Sequence, residues 1–239
     1  MTYTEPDPRK AFYVFISGMK GRGKTYYARS WWDHYPYDRL VIDVTHDIRQ
    51  DFRDEGVPFA DLSGDILPVK LPSSLDEAEP YVTCVYCPDM GSPTVLDDID
   101  RAMGLMLRGR NERGMLWIDE IGGTVDKGGR PGPNQRRILR HGRHHNLFLV
   151  GTDPRPKEIP TLWPAQADLV VTYRTPLEMD CDRIADQIGY PRKTYADINR
   201  TWCKGHNYTA YDRNDEQLYL CPPIPRRRAG VNTYAPYPE

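Results

Sequence analysis

The sequence predicts an α/β fold, with a mostly parallel central sheet flanked by helices and a C-terminal β-hairpin. Short apolar runs alternate with segments of helical periodicity along most of the chain. A glycine-rich segment joins the first apolar run to the first helical segment. The 239 residues, 39% of them hydrophobic, suffice for one sizeable domain. We therefore expect a single domain over residues 1–224, followed by an Arg- and Pro-rich tail at 225–239.

The first half of the chain alternates strand and helix patterns. Strands are predicted at 11–17, 39–45, 81–87 and 114–121, with a short candidate strand at 68–71. Helices are predicted from about 24 to 34 and at 94–109, where apolar residues recur at helical spacing and acids occupy the first turns. The lone C-x-x-C pair, Cys84 and Cys87, lies on a predicted strand, so its thiols should be buried on opposite faces of the sheet.

The second half continues the alternation and ends in a hairpin. Two loops are predicted at 122–134, which contains five glycines and two prolines, and at 153–164. Between and after them we expect helices at 135–141 and 176–189 and strands at 146–152 and 168–174. Tyrosine-rich segments around polar turn residues predict the hairpin at 207–223.

Residues 18–25 read GMKGRGKT, a full match to the phosphate-binding loop G-x-x-x-x-G-K-[ST] between a strand and a helix. Its glycines let backbone N–H groups converge on phosphate oxygens at the positive end of the following helix. Lys24 would bridge the β and γ phosphates of ATP, and the Thr25 hydroxyl would ligate Mg²⁺. The predicted nucleotide-binding residues are Gly18, Met19, Lys20, Gly21, Arg22, Gly23, Lys24, Thr25 and Tyr26.

Two acids end a later apolar run, LWIDE at 116–120. A phosphate loop needs an acid at the end of a neighbouring strand to hold magnesium, and Asp119 is predicted to do so through water. Glu120 has the residue type and position of the base that polarises the attacking water in ATP hydrolysis.

Two further groups of polar residues flank the predicted strand at 146–152, one at its end and one before it. Thr152 or Asp153, in GTDPRP, could sense the γ-phosphate, although an aspartate that merely caps the strand end is an equal alternative. The segment RRILRHGRHHN at 136–146 contains four arginines. Arg143, and after it Arg140, is the candidate for a finger that reaches a neighbouring subunit's ATP, while a solvated basic helix is the alternative.

Charge is distributed unevenly along the chain. Residues 43–100 carry 14 acidic and three basic residues, whereas residues 101–157 carry 12 basic and five acidic ones, which would suit a polyanionic partner. The apolar runs are far shorter than the roughly 20 residues of a transmembrane helix, so no intrinsic membrane span is expected. The polar N-terminus argues against secretion, and five cysteines indicate reduced thiols.

Together, GMKGRGKT, LWIDE, RHGRHHN, LFLVGTD with its PRP continuation, and ADLVVTYR resemble the HerA and FtsK superfamily of DNA-pumping ATPases. More closely, the chain resembles the genome-packaging ATPases of tailless viruses with an internal membrane. The resemblance covers about residues 12–189 and implies a RecA-like P-loop (ASCE) NTPase fold. It further implies a homo-oligomeric ring, expected to be a hexamer, that threads double-stranded DNA. The family's strand-end sensor is usually glutamine, and this chain departs from that pattern with Asp153.

The resemblance implies an ATP-driven double-stranded DNA translocase. We expect a viral genome-packaging ATPase in the host cytoplasm that docks at a capsid vertex on capsid or portal-vertex proteins. Lys127 and Arg130 in the first loop, with Arg155 and Lys157 in the second, are the candidate DNA contacts; mobile loops with incidental charge are the alternative. Three rival functions are a P-loop small-molecule kinase, a filamentous-phage-type assembly ATPase and a non-translocating clamp. Glu120 directly after Asp119 favours water activation over the kinase.

Overall fold

The computed structural model describes residues 10–64, 81–108 and 113–224. The candidate strand at 68–71 and the tail at 225–239 lie outside the described residues. Every helix within the described residues falls short of the length and hydrophobicity that a bilayer span requires.

One nine-stranded sheet runs through the described part of the chain. Its strands are β1 (Phe12–Ser17), β2 (Asp38–Asp43), β3 (Ala60–Asp61), β4 (Thr83–Tyr86), β5 (Gly114–Asp119), β6 (Leu147–Asp153), β7 (Leu169–Thr172), β8 (Tyr208–Asp212) and β9 (Gln217–Cys221). Their order is β3-β4-β2-β5-β6-β1-β7-β8-β9. The strands from β3 to β7 in this order pair in parallel, whereas β8 of the C-terminal hairpin pairs antiparallel with both β7 and β9. The predicted fold class is therefore confirmed.

Helices cover both faces of this sheet. They are α1 (Lys24–His34), α2 (Asp47–Asp54), α3 (Val95–Gly104), α4 (Pro133–His141), α5 (Leu162–Gln166), α6 (Glu178–Ile188) and α7 (Arg192–Trp202), with short 3-10 turns between some of them. Residues of α1 and α2 belong to one buried cluster, and residues of α3 to α7 belong to the other. Cys84 and Cys87 are free, buried and divided between the two clusters, as predicted.

Most predicted elements are confirmed to within a few residues, and α1 has the predicted bounds. The sequence reasoning did not find α2, β3, α5 and α7. Helix α2 is strongly polar and buries only Ile48 and Phe52, while α7 buries only Tyr195 and Asn199. Two buried positions one turn apart give too weak a periodicity to be distinguished from a loop.

The parallel register brings four polar strand ends to one edge of the sheet. Asp43 of β2 lies opposite Asp119 of β5, and Ser17 of β1 lies opposite Asp153 of β6. Because the carboxyl ends of parallel strands share an edge, this is where an open α/β sheet places its ligands. We call this edge, with the loops that leave it, the strand-end edge.

Candidate active site

The loop after β1 has the backbone that the phosphate-binding motif requires. Gly18, Gly21 and Gly23 have φ values of 129°, 73° and 105°, all in the region that side chains disfavour. A Cβ at Gly18 would lie 2.7 Å from the Cβ of Tyr173, so the position has no room for a side chain. The backbone N–H of Met19 donates to the carbonyl of Arg174 at 2.9 Å. The loop is thus fixed against the end of β7.

Helix α1 starts directly from this loop. Its first turn contains no acidic residue, and no side chain caps it at Gly23. Its positive end can therefore receive an anion. The Nζ of Lys24 donates to the carbonyls of Gly18 at 2.8 Å and Met19 at 3.3 Å, so the ammonium is held over the loop. Thr25 is exposed at the same helix end.

Three predicted acids act on Lys24. Burial lowers the pKa of Lys24, while the charges of Asp119, Asp153 and Glu120 oppose that shift. The fold therefore brings Lys24 and the acids of the strand-end edge into one electrostatic unit, although they lie as much as 129 residues apart, from Lys24 to Asp153.

Asp119 is buried and held by two hydroxyl groups. Thr152 Oγ1 donates to its Oδ1 at 2.6 Å, and Thr45 Oγ1 donates to its Oδ2 at 3.2 Å. Burial raises the pKa of Asp119 to about 6, and the hydrogen bond from Thr152 opposes this shift. A nearby divalent cation would favour the ionised carboxylate.

Asp153 joins the two loops that leave the strand-end edge. Its Oδ2 accepts the backbone N–H of Gly122 at 2.7 Å, and its Oδ1 accepts that of Arg155 at 2.7 Å. Burial raises its pKa to about 6, against the effect of these two hydrogen bonds. Asp153 thus binds Gly122 at the start of the first loop and Arg155 in the second loop.

Glu120 occupies a strained position at the end of β5. Its φ of 56° and ψ of 70° are left-handed, which costs a non-glycine residue about 1 kcal/mol or more. Its backbone N–H is 3.4 Å from Thr152 Oγ1, and the 3-10 turn Ile121–Thr124 follows it. Such strain clusters at functional sites.

Three contributors to the edge were not found by sequence reasoning. Asp43 is fully buried and accepts the backbone N–H of Arg49 at 2.8 Å. Thr45 contacts Asp119, and Tyr173 packs against the phosphate-binding loop. The acid that ends β2 is the one signal that could have identified Asp43, since the sequence DVT follows an apolar run as LWIDE does.

The candidate arginine fingers lie away from this chain's own phosphate-binding loop. Arg143 precedes β6, at the opposite edge of the sheet from Gly18. Its guanidinium donates to Asp168 Oδ1 at 2.5 Å and lies 5.3 Å from the centre of the Tyr13 ring. Arg140 is exposed on α4.

The four candidate DNA-contacting residues differ in their surroundings. Lys127, Arg130 and Lys157 are exposed. Arg155, in contrast, pairs with the buried carboxylate of Asp180 at 3.0 Å and with Glu158 at 3.0 Å. Its side chain therefore holds the second loop against α6.

The fold and the phosphate-binding loop are those of a P-loop NTPase. No protein-family model and no curated protein matches the chain. Among solved structures, the genome-packaging NTPase B204 from Sulfolobus turreted icosahedral virus 2, in complex with AMP, has a TM-score of 0.63 and 18% identity, covering 92% of this chain and 100% of that one. B204 from Sulfolobus turreted icosahedral virus, a DNA-packaging ATPase, has a TM-score of 0.64 and 17% identity, covering 90% and 99%. VirB4 of Thermoanaerobacter pseudethanolicus has a TM-score of 0.64 and 10% identity, covering 92% and 91%.

These neighbours agree with the resemblance stated from the motifs. At such identities the similarity establishes the fold. B204 has also been solved with AMPPCP and with ATP-gammaS, so this fold holds adenine nucleotides in that protein.

Proposed function

We propose that the chain is an ATPase that couples ATP hydrolysis to movement of double-stranded DNA into a viral capsid. The observation that carries the proposal is the electrostatic unit of Lys24 with Asp119, Glu120 and Asp153 beside a complete phosphate-binding loop. The packaging function of B204 supports the DNA part of the proposal.

Nucleotide binding follows from the loop and α1. The β and γ phosphates of ATP would replace the carbonyls of Gly18 and Met19 as partners of Lys24. Backbone N–H groups of residues 18–26 would receive the remaining phosphate oxygens.

The oxygen donors at the edge fit Mg²⁺, which favours hydroxyl, carboxylate and water ligands. The Thr25 hydroxyl would bind the ion directly and Asp119 through water. Mg²⁺ would neutralise phosphate charge. The hydrogen bonds from Thr152 and Thr45 fix the orientation of the Asp119 carboxylate.

Glu120 is the proposed base that polarises the attacking water. Thr152 touches both Asp119 and the backbone of Glu120 and is therefore placed to sense changes at either. Asp153 would transmit such changes, since it accepts hydrogen bonds from Gly122 of the first loop and Arg155 of the second. These roles make Thr152 the sensor and Asp153 the link.

The assembly is proposed to be a homo-oligomeric ring, expected to be a hexamer. Arg143 lies at the edge opposite the phosphate-binding loop, so a finger role requires the ATP of a neighbouring subunit. A ring docked at a capsid vertex on capsid or portal-vertex proteins, in the host cytoplasm, completes the proposal. Residues 1–224 would form the ATPase domain and 225–239 a separate tail.

Phosphate release from ATP, measured with and without duplex DNA, tests this function. We expect release to rise when duplex DNA is added. Phosphate transfer to a metabolite would instead indicate a small-molecule kinase. Slow release that does not change when DNA is added would indicate a non-translocating clamp. Either result would contradict the translocase.

A further inference from the structure

An open groove of about 840 Å³ lies between the two loops, α4 and the segment that enters α5. We call it the basic groove because four cationic side chains line it: Lys127, Arg136, Arg140 and Lys157. No residue of the phosphate-binding loop 18–25 is among its lining residues. The basic groove is thus distinct from the nucleotide site.

The cations of the basic groove have no acidic partner among the described residues. None of the four forms an ion pair with any residue that the structure describes. Arg29, Arg53 and Arg143, by contrast, pair with carboxylates. The acid that does line the groove, Glu158, pairs with Arg155. The groove therefore keeps a positive charge that a polyanion can neutralise.

Separate elements bring these cations together. Arg136 and Arg140 lie one turn apart on α4, and Ile138 and Leu139 bury the opposite side of that helix. Lys127 comes from the first loop and Lys157 from the second. The cations lie along a helix that is flanked by two loops, in an open groove and not in a closed pocket. This arrangement suits a chain of successive phosphates.

We propose that the basic groove binds the sugar–phosphate backbone of duplex DNA, with Arg136 and Arg140 as its central contacts. The inference rests on the proposed function and assigns the DNA contact to a particular surface. It also gives Arg140 a role other than that of a finger. Arg136 had no role in the sequence reasoning.

Apart from its cations, which can contact guanine as well as phosphate, the groove offers few groups for base recognition. The described residues that line the groove include no aromatic side chain to stack on a base and no Asn or Gln to pair with a base edge. A Cβ at Gly129 would meet nothing within 4 Å, so this lining residue leaves room for close approach of a phosphate. Binding should therefore be independent of sequence and strongly dependent on salt.

The groove has a structural link to the nucleotide site. Asp153 binds Gly122 of the first loop and Arg155 of the second, and the charge of Lys24 acts on its carboxylate. Lys127 and Lys157 project from those same loops. A rearrangement at the γ-phosphate could thus displace two of the four cations relative to Arg136 and Arg140 on α4.

The test measures the affinity for a fluorescein-labelled duplex of mixed sequence over a series of salt concentrations. The full chain, the double variant Arg136→Ala/Arg140→Ala and the control Arg137→Ala/Lys193→Ala are compared. The control removes the same charge from exposed residues outside the groove. A third variant, Arg136→Lys/Arg140→Lys, keeps the charge, and thermal melting confirms that each variant is folded.

We expect the alanine double variant to lose about tenfold or more in affinity and its logarithmic salt slope to become shallower by about 1.8, for two lost phosphate contacts. The control and the lysine variant should bind like the full chain. If the folded alanine variant binds the duplex with the affinity and salt slope of the full chain, the basic groove is not the DNA contact, while the proposed function is left intact. Failure of the full chain to bind duplex DNA at any salt concentration would overturn both the function and the groove.

Discussion

The strand-end edge and the basic groove hold their charges in opposite ways. Asp119 and Asp153 at the edge are buried, and each accepts hydrogen bonds through both carboxylate oxygens. The four cations of the basic groove are exposed and have no ion-pair partner among the described residues. Buried acids in a fixed orientation can hold a metal ion and a water molecule without reorganisation. Exposed cations retain their water and can exchange it for successive phosphates. Under the proposed function, a rigid centre would perform the chemistry and an adaptable surface would contact the DNA.

The largest effect should come from the edge. Glu120→Gln is expected to bind ATP like the full chain but to lower the turnover number by about 100-fold or more, because the amide cannot accept a proton from water. Lys24→Ala should instead weaken ATP binding itself. Nucleotide titration and phosphate release together distinguish the two. Normal turnover in Glu120→Gln would show that the base is another residue.

The contrast also explains what the sequence could predict. The phosphate-binding loop and α1 were predicted because adjacent residues, from Gly18 to Thr25, determine both the turn and the chemistry. Asp119 and Glu120 were predicted because they end an apolar run.

The remaining contacts depend on how the strands are ordered in the sheet. Asp43 meets Asp119 only because β2 pairs with β5, and nothing in the local sequence specifies that pairing. Tyr173 contacts Gly18 only because β7 follows β1 in the sheet. The basic groove combines three separate segments, so a single run of charge could not reveal it.

The second prediction concerns the buried charge of Asp153. Burial raises its pKa from the ordinary value of 3.8 to about 6, so the folded chain binds this proton more tightly than the unfolded chain does. The unfolding free energy of the full chain, minus that of Asp153→Asn, should therefore fall by about 2 kcal/mol as the pH rises from 4 to 6. Urea unfolding of the metal-free chains at several pH values measures it. A difference that stays constant over this range would show that Asp153 is not buried as described.

The third prediction tests whether Arg143 acts between subunits. Mixing Arg143→Ala subunits with Glu120→Gln subunits should restore part of the phosphate release, because an intact Arg143 can then serve an intact active site next to it. If Arg143 only supports β6 through Asp168 and Tyr13, the mixture should release no more phosphate than the two variants measured separately. Arg140→Ala subunits, mixed with Glu120→Gln subunits in the same way, should release no more phosphate than the two variants measured separately.

The smallest expected effect separates two residues of the first loop. Lys127 lines the basic groove, whereas Arg130 does not, although both are exposed and only three residues apart. Lys127→Ala should therefore weaken duplex binding a few-fold, and its salt slope should become shallower by about 0.9. Arg130→Ala removes the same charge and should bind nearly as the full chain does. Equal losses in the two variants would show that the loop contributes only general charge.

Phosphate release as a function of duplex DNA concentration tests most directly the claim that the edge hydrolyses ATP in response to DNA held in the basic groove. For the full chain, release should rise with DNA and reach half of its maximum near the dissociation constant of the duplex. For Arg136→Ala/Arg140→Ala, that midpoint should move to about tenfold higher DNA concentration or beyond. Release that rises at the same DNA concentration in both proteins, or that does not change with DNA in the full chain, would contradict the account.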